Sequence, residues 1–210
     1  MRLLGKVLLY VLAIGVAIYA AMAYSLLPLG SVVHPEMKAV FQNHSIAIYT
    51  HIFASIVALV LGPFQFSSRL RQKHLALHRW SGRVYLLVGV LVGGLFGLYM
   101  SLFSFGGIVS NTGFAFLALS WLFSGLMAFL AIRRRDILNH RKWMIRNYSL
   151  TFAAVTLRIY IGISFATGLE FEEFYPVIAW LCWVPNILLA EWLFNSQKVK
   201  SASVVEATTK

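Results

Sequence analysis

The sequence predicts an all-α fold, a polytopic membrane helix bundle of six transmembrane helices with both termini cytoplasmic. Three observations predict it. Six apolar stretches can be read, at 4–27, 45–66, 84–103, 112–132, 148–168 and 175–194, each close to the ~20 residues a helix needs to cross a hydrocarbon core. Charge alternates between the gaps. The gap after the second stretch carries Arg69, Arg71, Lys73, Arg79 and Arg83 and no acid. The gap after the fourth carries Arg133, Arg134, Arg135, Arg141, Lys142 and Arg146 against Asp136 alone. The gap after the third is uncharged, and the gap after the fifth holds only Glu170, Glu172 and Glu173. Basic loops stay on the cytoplasmic side, so these gaps agree with one topology. The third observation is how short the gaps are: none can hold a soluble domain of ~50 residues.

The first stretch has two readings. Arg2 and Lys6 precede an apolar run and Ala21-Met22-Ala23 has the form of a cleavage site, as in a secretory signal peptide. The apolar character continues through Leu26, Leu27 and Leu29, which favours a retained helix over 4–27. Pro35 suits the first turn of a helix, so a short outer helix is expected to lead into the second stretch. Gly62-Pro63 should kink or end that stretch near the inner face. Residues 69–83 mix basic side chains with Leu75, Leu77 and Trp80, the composition of a helix lying at the headgroup level or of a solvated connector. Residues 1–195 are expected to form a single transmembrane domain, and 196–210 a disordered cytoplasmic tail. Arg71, His78-Arg79 and Arg83-Val84-Tyr85 open the third stretch as Arg133, His140-Arg141 and Arg146-Asn147-Tyr148 open the fifth. Such a match is what two related halves produce, and also what chance produces among arginine-rich loops.

Composition excludes several classes. The net charge of +11 sits beside span ends, where anionic headgroups of the inner leaflet are the partner; nothing resembles a nucleic-acid-reading module. Cys182 has no second cysteine to pair with, so cysteine usage is silent on redox compartment. No nucleophile–base–acid set, phosphate loop or Cys-x-x-Cys is present.

Histidines and arginines carry what chemistry there is. His51 lies securely within a span, on a stripe with His44, Ala58 and Gln65 and beside Ser55 and Gly62. An ionisable group there faces the bundle interior, as a haem ligand, a proton relay, a quinone partner, or a buried histidine bonded to a neighbouring helix. His34 is shallow enough to be hydrated, and its truncation is expected to be nearly silent. His78 and His140 hold equivalent places before the third and fifth stretches. Two such imidazoles can ligate one haem iron from opposite sides, with Arg79, Arg83, Arg141 and Arg146 holding the propionates; alternatively they meet lipid phosphate. His74 and His78 are four apart, as zinc ligands can be, without an evident third ligand. Gly89, Gly93 and Gly97 form a small-residue ridge that admits a close neighbouring helix, a partner membrane protein, or a flat cofactor. Arg158, near the middle of the fifth stretch, is costly there unless it faces inward to a partner: carbonyls, Asn186, Tyr160, Glu191 if the helices are offset, or a bound anion.

His51, Gly62-Pro63-Phe64-Gln65-Phe66, Arg69, Arg71, His78-Arg79, Gly82-Arg83-Val84-Tyr85, His140-Arg141, Trp143-Met144 and Arg146-Asn147 resemble a bacterial membrane family, domain of unknown function 2306, over residues 45–162. The resemblance implies a multi-helix integral membrane protein of the bacterial inner membrane and brings no activity. In histidine placement alone the chain is similar to di-haem membrane cytochromes b and ferric-reductase-like domains, but those place four histidines inside spans as opposed pairs. The functional expectations are a small redox protein holding one b-type haem (haem b) or a quinone, a non-catalytic accessory subunit, or a small-anion transporter centred on Arg158.

Overall fold

The computed structural model describes residues 3–194, and among them every regular element is helical. Six helical segments are long and apolar enough to cross a membrane: Leu4–Leu26, Ser45–Gln65, Leu75–Ser101, Gly107–Arg133, Ile137–Thr167 and Phe171–Phe194. The chain is a six-span membrane helix bundle. The expected tail, 196–210, lies outside the described residues.

The bundle is built with small residues inward and large apolar ones outward. In α1 (Leu3–Leu26) the buried side chains are Ala13, Ala17, Ala20 and Ala23, while Leu4, Leu8, Val11, Ile18 and Met22 are exposed. Steps of three and four residues place the alanines on one face. Ala13 and Ala17 pack there with Leu59 and Val155. Without a hydrophobic drive between helices in lipid, close contact through small residues is what holds such helices together.

A turn at Pro35–Met37 and the short α2 (Lys38–Asn43) lead into α3 (Ser45–Gln65), the second span. Pro63 falls inside α3, near its end, as expected. A proline has no N–H to give to the carbonyl four residues back, here Leu59. The Tyr148 hydroxyl donates to that carbonyl at 3.3 Å. Gly62 makes the room: a Cβ on it would stand 2.1 Å from the Tyr148 ring. The Pro63 carbonyl in turn accepts from the Tyr10 hydroxyl at 2.9 Å, tying the first span to the second.

The third and fifth spans start earlier than their apolar stretches do. After α4 (Ser68–Lys73), α5 (Leu75–Val84) runs directly into a π-helical segment, Tyr85–Val92, and then α6 (Gly93–Ser101). After α7 (Gly107–Arg133), the fifth span consists of α8 (Ile137–Thr151) and α9 (Ala153–Thr167). The residues 69–83 are therefore two short helices, of which the second continues a span. The physical reason is snorkelling, in which a long basic side chain lays its stem on apolar surface and lifts its charge to the headgroups. Arg83 lies over Trp80 at 5.0 Å, and Arg146 between Trp143 at 4.7 Å and Phe194 at 5.2 Å. Asp136 caps α8 by accepting from the Asn139 backbone N–H at 3.0 Å. That bond and the Asn139 amide hold its carboxyl below the usual carboxylate range. The sixth span opens with α10 (Phe171–Leu181) and continues to Phe194.

The glycine ridge packs within the chain. A Cβ on Gly89 would stand 2.7 Å from Ala58, one on Gly93 3.3 Å from Ser55, and one on Gly97 2.8 Å from the His51 ring. The third span thus lies against α3 along its length. Behind it a buried polar network links three spans. Tyr85 donates to Asn147 Oδ1 at 2.6 Å, and Asn147 Nδ2 donates to the Trp121 carbonyl at 2.8 Å and to Ser124 at 2.9 Å. Thr151 accepts from Trp121 Nε1 at 2.8 Å and donates to the Asn147 carbonyl at 3.0 Å. Groups that lipid cannot solvate satisfy one another here.

Candidate functional site

Basic loops and helix starts gather at one end of the bundle; His34, His44 and the Glu170–Glu173 turn gather at the other. In the half away from the basic end lies a cavity of about 430 Å³, walled by His51, Ser55, Arg158, Tyr24, Trp121 and Tyr175 among mostly apolar neighbours. That volume is in the range of small-molecule sites, roughly 300–1,000 Å³.

His51 is six residues from the start of α3, about 9 Å by helical rise. Its Nδ1 lies 2.8 Å from the Gly93 carbonyl. A carbonyl only accepts, so Nδ1 carries the proton, and the Nε2 of the neutral ring keeps a lone pair. Ser55, one turn on, has a buried hydroxyl without a hydrogen-bond partner among the described residues.

Arg158 is nine residues from the end of α9, about 14 Å by helical rise. It lies past the midpoint of the span, on the side of the acidic end, because the fifth span runs from Ile137 to Thr167. Its Nη1 donates to the Ala154 carbonyl at 2.7 Å, and its guanidinium sits 5.7 Å from the Tyr19 ring centre. Among the described residues the basic side chains in contact with a carboxylate are His34, beside Glu172, and Arg146, beside Glu191, so Arg158 has no carboxylate. Asn186 is engaged elsewhere, donating to the Ser149 carbonyl at 3.2 Å, Thr156 at 3.1 Å and the Cys182 carbonyl at 3.0 Å. Arg158 and His51 line the same cavity.

At the basic end, His78 and His140 both fall in the first turn or so of a span, on different helices. His140 donates from Nδ1 to the Ala128 carbonyl at 2.8 Å, which leaves its Nε2 free of that bond. His78 Nδ1 is buried without a hydrogen-bond partner among the described residues. Around them, Arg79, Arg83 and Arg141 are exposed. Arg146 is engaged with Glu191 through Nε to Oε1 and through Nη2 to Oε2 at 2.9 Å. His74 is exposed in the joint between α4 and α5. Among the described residues no three of His, Cys, Asp and Glu gather as a metal site.

At the other end His34 is not the idle hydrated residue expected. Its ring stacks on Phe171 at 4.6 Å and its Nε2 lies 3.1 Å from Glu172. His44 stacks on Phe103 at 4.1 Å, with Nδ1 3.0 Å from the Tyr99 hydroxyl.

The sequence identified the two polar poles of the cavity and missed its other polar walls, Tyr24, Glu36, Thr151 and Tyr175. Only Ser55, at the i+4 step from His51, carried a legible hint. No curated protein and no solved structure matches the chain. The family described as "Predicted membrane protein (DUF2306)" matches residues 48–194, which include His51, His78, His140 and Arg158, and the chain belongs to that family.

Proposed function

We propose that the protein is a small inner-membrane protein that binds a quinone-class molecule in the His51–Arg158 cavity and serves electron transfer there. One observation carries the reading: a lone-pair imidazole nitrogen and a guanidinium without a carboxylate among the described residues share the wall of one mostly apolar cavity. A quinone head offers two oxygens. Arg158 donates to a carbonyl oxygen of the oxidised form, and His51 Nε2 accepts from a hydroxyl of the reduced form. Apolar walls suit the ring and tail. An intramembrane ionisable residue of this kind marks a functional pathway by default. In this reading the basic end faces the cytoplasm of a bacterium and its anionic headgroups. The test is binding of a short-tailed benzoquinone to detergent-purified protein. His51→Ala and Arg158→Gln should each weaken binding about tenfold, the ~1.4 kcal/mol of one good polar contact. Unchanged affinity in both variants would refute the assignment.

A second reading rests on the placement of His78 and His140 at the starts of two different spans. Two imidazoles on different helices suit a b-type haem, each nitrogen ~2 Å from iron, with Arg79 and Arg141 free to meet propionates. It requires a Soret band that either His→Ala change abolishes and Lys142→Ala preserves. Purified protein without such a band, after growth with added haem precursor, would rule this reading out.

A further inference from the structure

We infer that residues 30–44 form a lid over one side of the cavity, latched by the His34–Glu172 pair, and that its opening widens access to the site. The inference rests on the cavity being the binding site proposed above.

Four features support it. First, Glu36, Met37, Val40 and Phe41 line the cavity, so this segment is one of its walls. Second, neither the Pro35–Met37 turn nor α2 contains a buried residue. A wall that buries none of its own side chains is held by little, and such segments open at low free energy. Third, both ends have the backbone for a hinge. Gly30 has φ +87°, a conformation glycine adopts without cost. At the other end His44, with φ −114° and ψ 34°, breaks the helix between α2 and α3. Hinges are a few end-of-element residues that absorb such changes.

The fourth feature is how the two ends are fastened. His44 is held on Tyr99 and Phe103 of the third span and its exit, which makes it the fixed end. His34 rests on Phe171 and Phe105 and reaches Glu172. These residues belong to the start of the sixth span and the turn after the third. The lid is therefore fastened to a separate part of the bundle through one ring and one carboxylate. Releasing the pair frees the start of the lid while His44 keeps its end in place.

The test needs no quinone. In a Cys182→Ala background, Ser55→Cys puts one thiol in the cavity wall. Its labelling rate by a charged, water-soluble methanethiosulfonate reports access to the cavity in the full chain. Adding His34→Ala, or the milder Glu172→Gln, should raise that rate about fivefold, the size of one partly exposed hydrogen bond. Thermal midpoints within a few degrees of the parent would exclude general loosening. Equal rates in all three proteins would overturn the lid. Repeating the labelling with a benzoquinone present separates the two proposals: lack of protection would count against the quinone and leave the lid standing.

Discussion

His51 donates its Nδ1 proton to the Gly93 carbonyl at 2.8 Å, with its ring in the space that a side chain on Gly97 would need. The ring is thereby held by the third span while its other nitrogen is left for the cavity. Two glycines of the ridge thus serve the site as well as the packing.

Gly97→Ala should reproduce much of the loss seen in His51→Ala. The new methyl would stand 2.8 Å from the ring, so the ring must swing away and surrender the Gly93 bond. Overpacking of this kind costs about 1–3 kcal/mol. Gly15→Ala, where nothing lies within 4 Å, should be silent or slightly stabilising. Thermal melts in detergent compare the two, and equal midpoints would contradict the packing.

Tyr148 and Pro63 should be coupled. Tyr148→Phe leaves the Leu59 carbonyl unsatisfied in an apolar setting, a loss of about 1–3 kcal/mol. In a Pro63→Ala background the new backbone N–H can take that carbonyl, so the Tyr148→Phe penalty should shrink by about 1 kcal/mol or more. A double-mutant cycle on unfolding in mixed detergent measures it. Additive penalties would mean that the hydroxyl does not serve this carbonyl.

Asn147→Ala should be the most damaging single change in the network. It removes the bonds to Tyr85, Ser124 and the Trp121 carbonyl at once; Tyr85 keeps Thr151 and Ser124 keeps the Trp121 carbonyl, so the loss is about 0.5–1.5 kcal/mol for each bond removed. Ser149→Ala, which removes a hydroxyl bonded to the nearby Arg146 carbonyl, should cost well under half as much. The same unfolding assay decides it, and a near-neutral Asn147→Ala would contradict the network.

The topology expected from charge is open to reporters. Fusions after Lys210, or insertions near Lys73 and Asp136, should report cytoplasmic, and one near Glu172 external. An external signal beside Asp136 would overturn the orientation.

All six spans were legible because hydropathy and the alternation of charge agree. The starts of the third and fifth were not. Apolar runs stop at Arg83 and Arg146, whereas those helices begin at Leu75 and Ile137, since arginines resting on Trp80 and Trp143 let a helix continue through the headgroup level. His51 and Arg158 were legible as inward-facing because a lone ionisable group in a span has nowhere else to go. The cavity between them was not. It depends on the segment from Glu36 to Phe41 folding back over α3, and no periodicity records that. Nor did the sequence foresee that His34 would find Glu172, a partner 138 positions away (172 − 34).

In the proposed function His51 and Arg158 hold one ligand between them. Equilibrium titration of a short-tailed benzoquinone, read by quenching of tryptophan emission, tests it most directly, since Trp121 lies in the cavity wall. Saturable quenching is expected, with about tenfold weaker binding in His51→Ala and in Arg158→Gln, and a double variant whose loss is less than the product of the two. Linear, unsaturable quenching that is identical in all four proteins would contradict it.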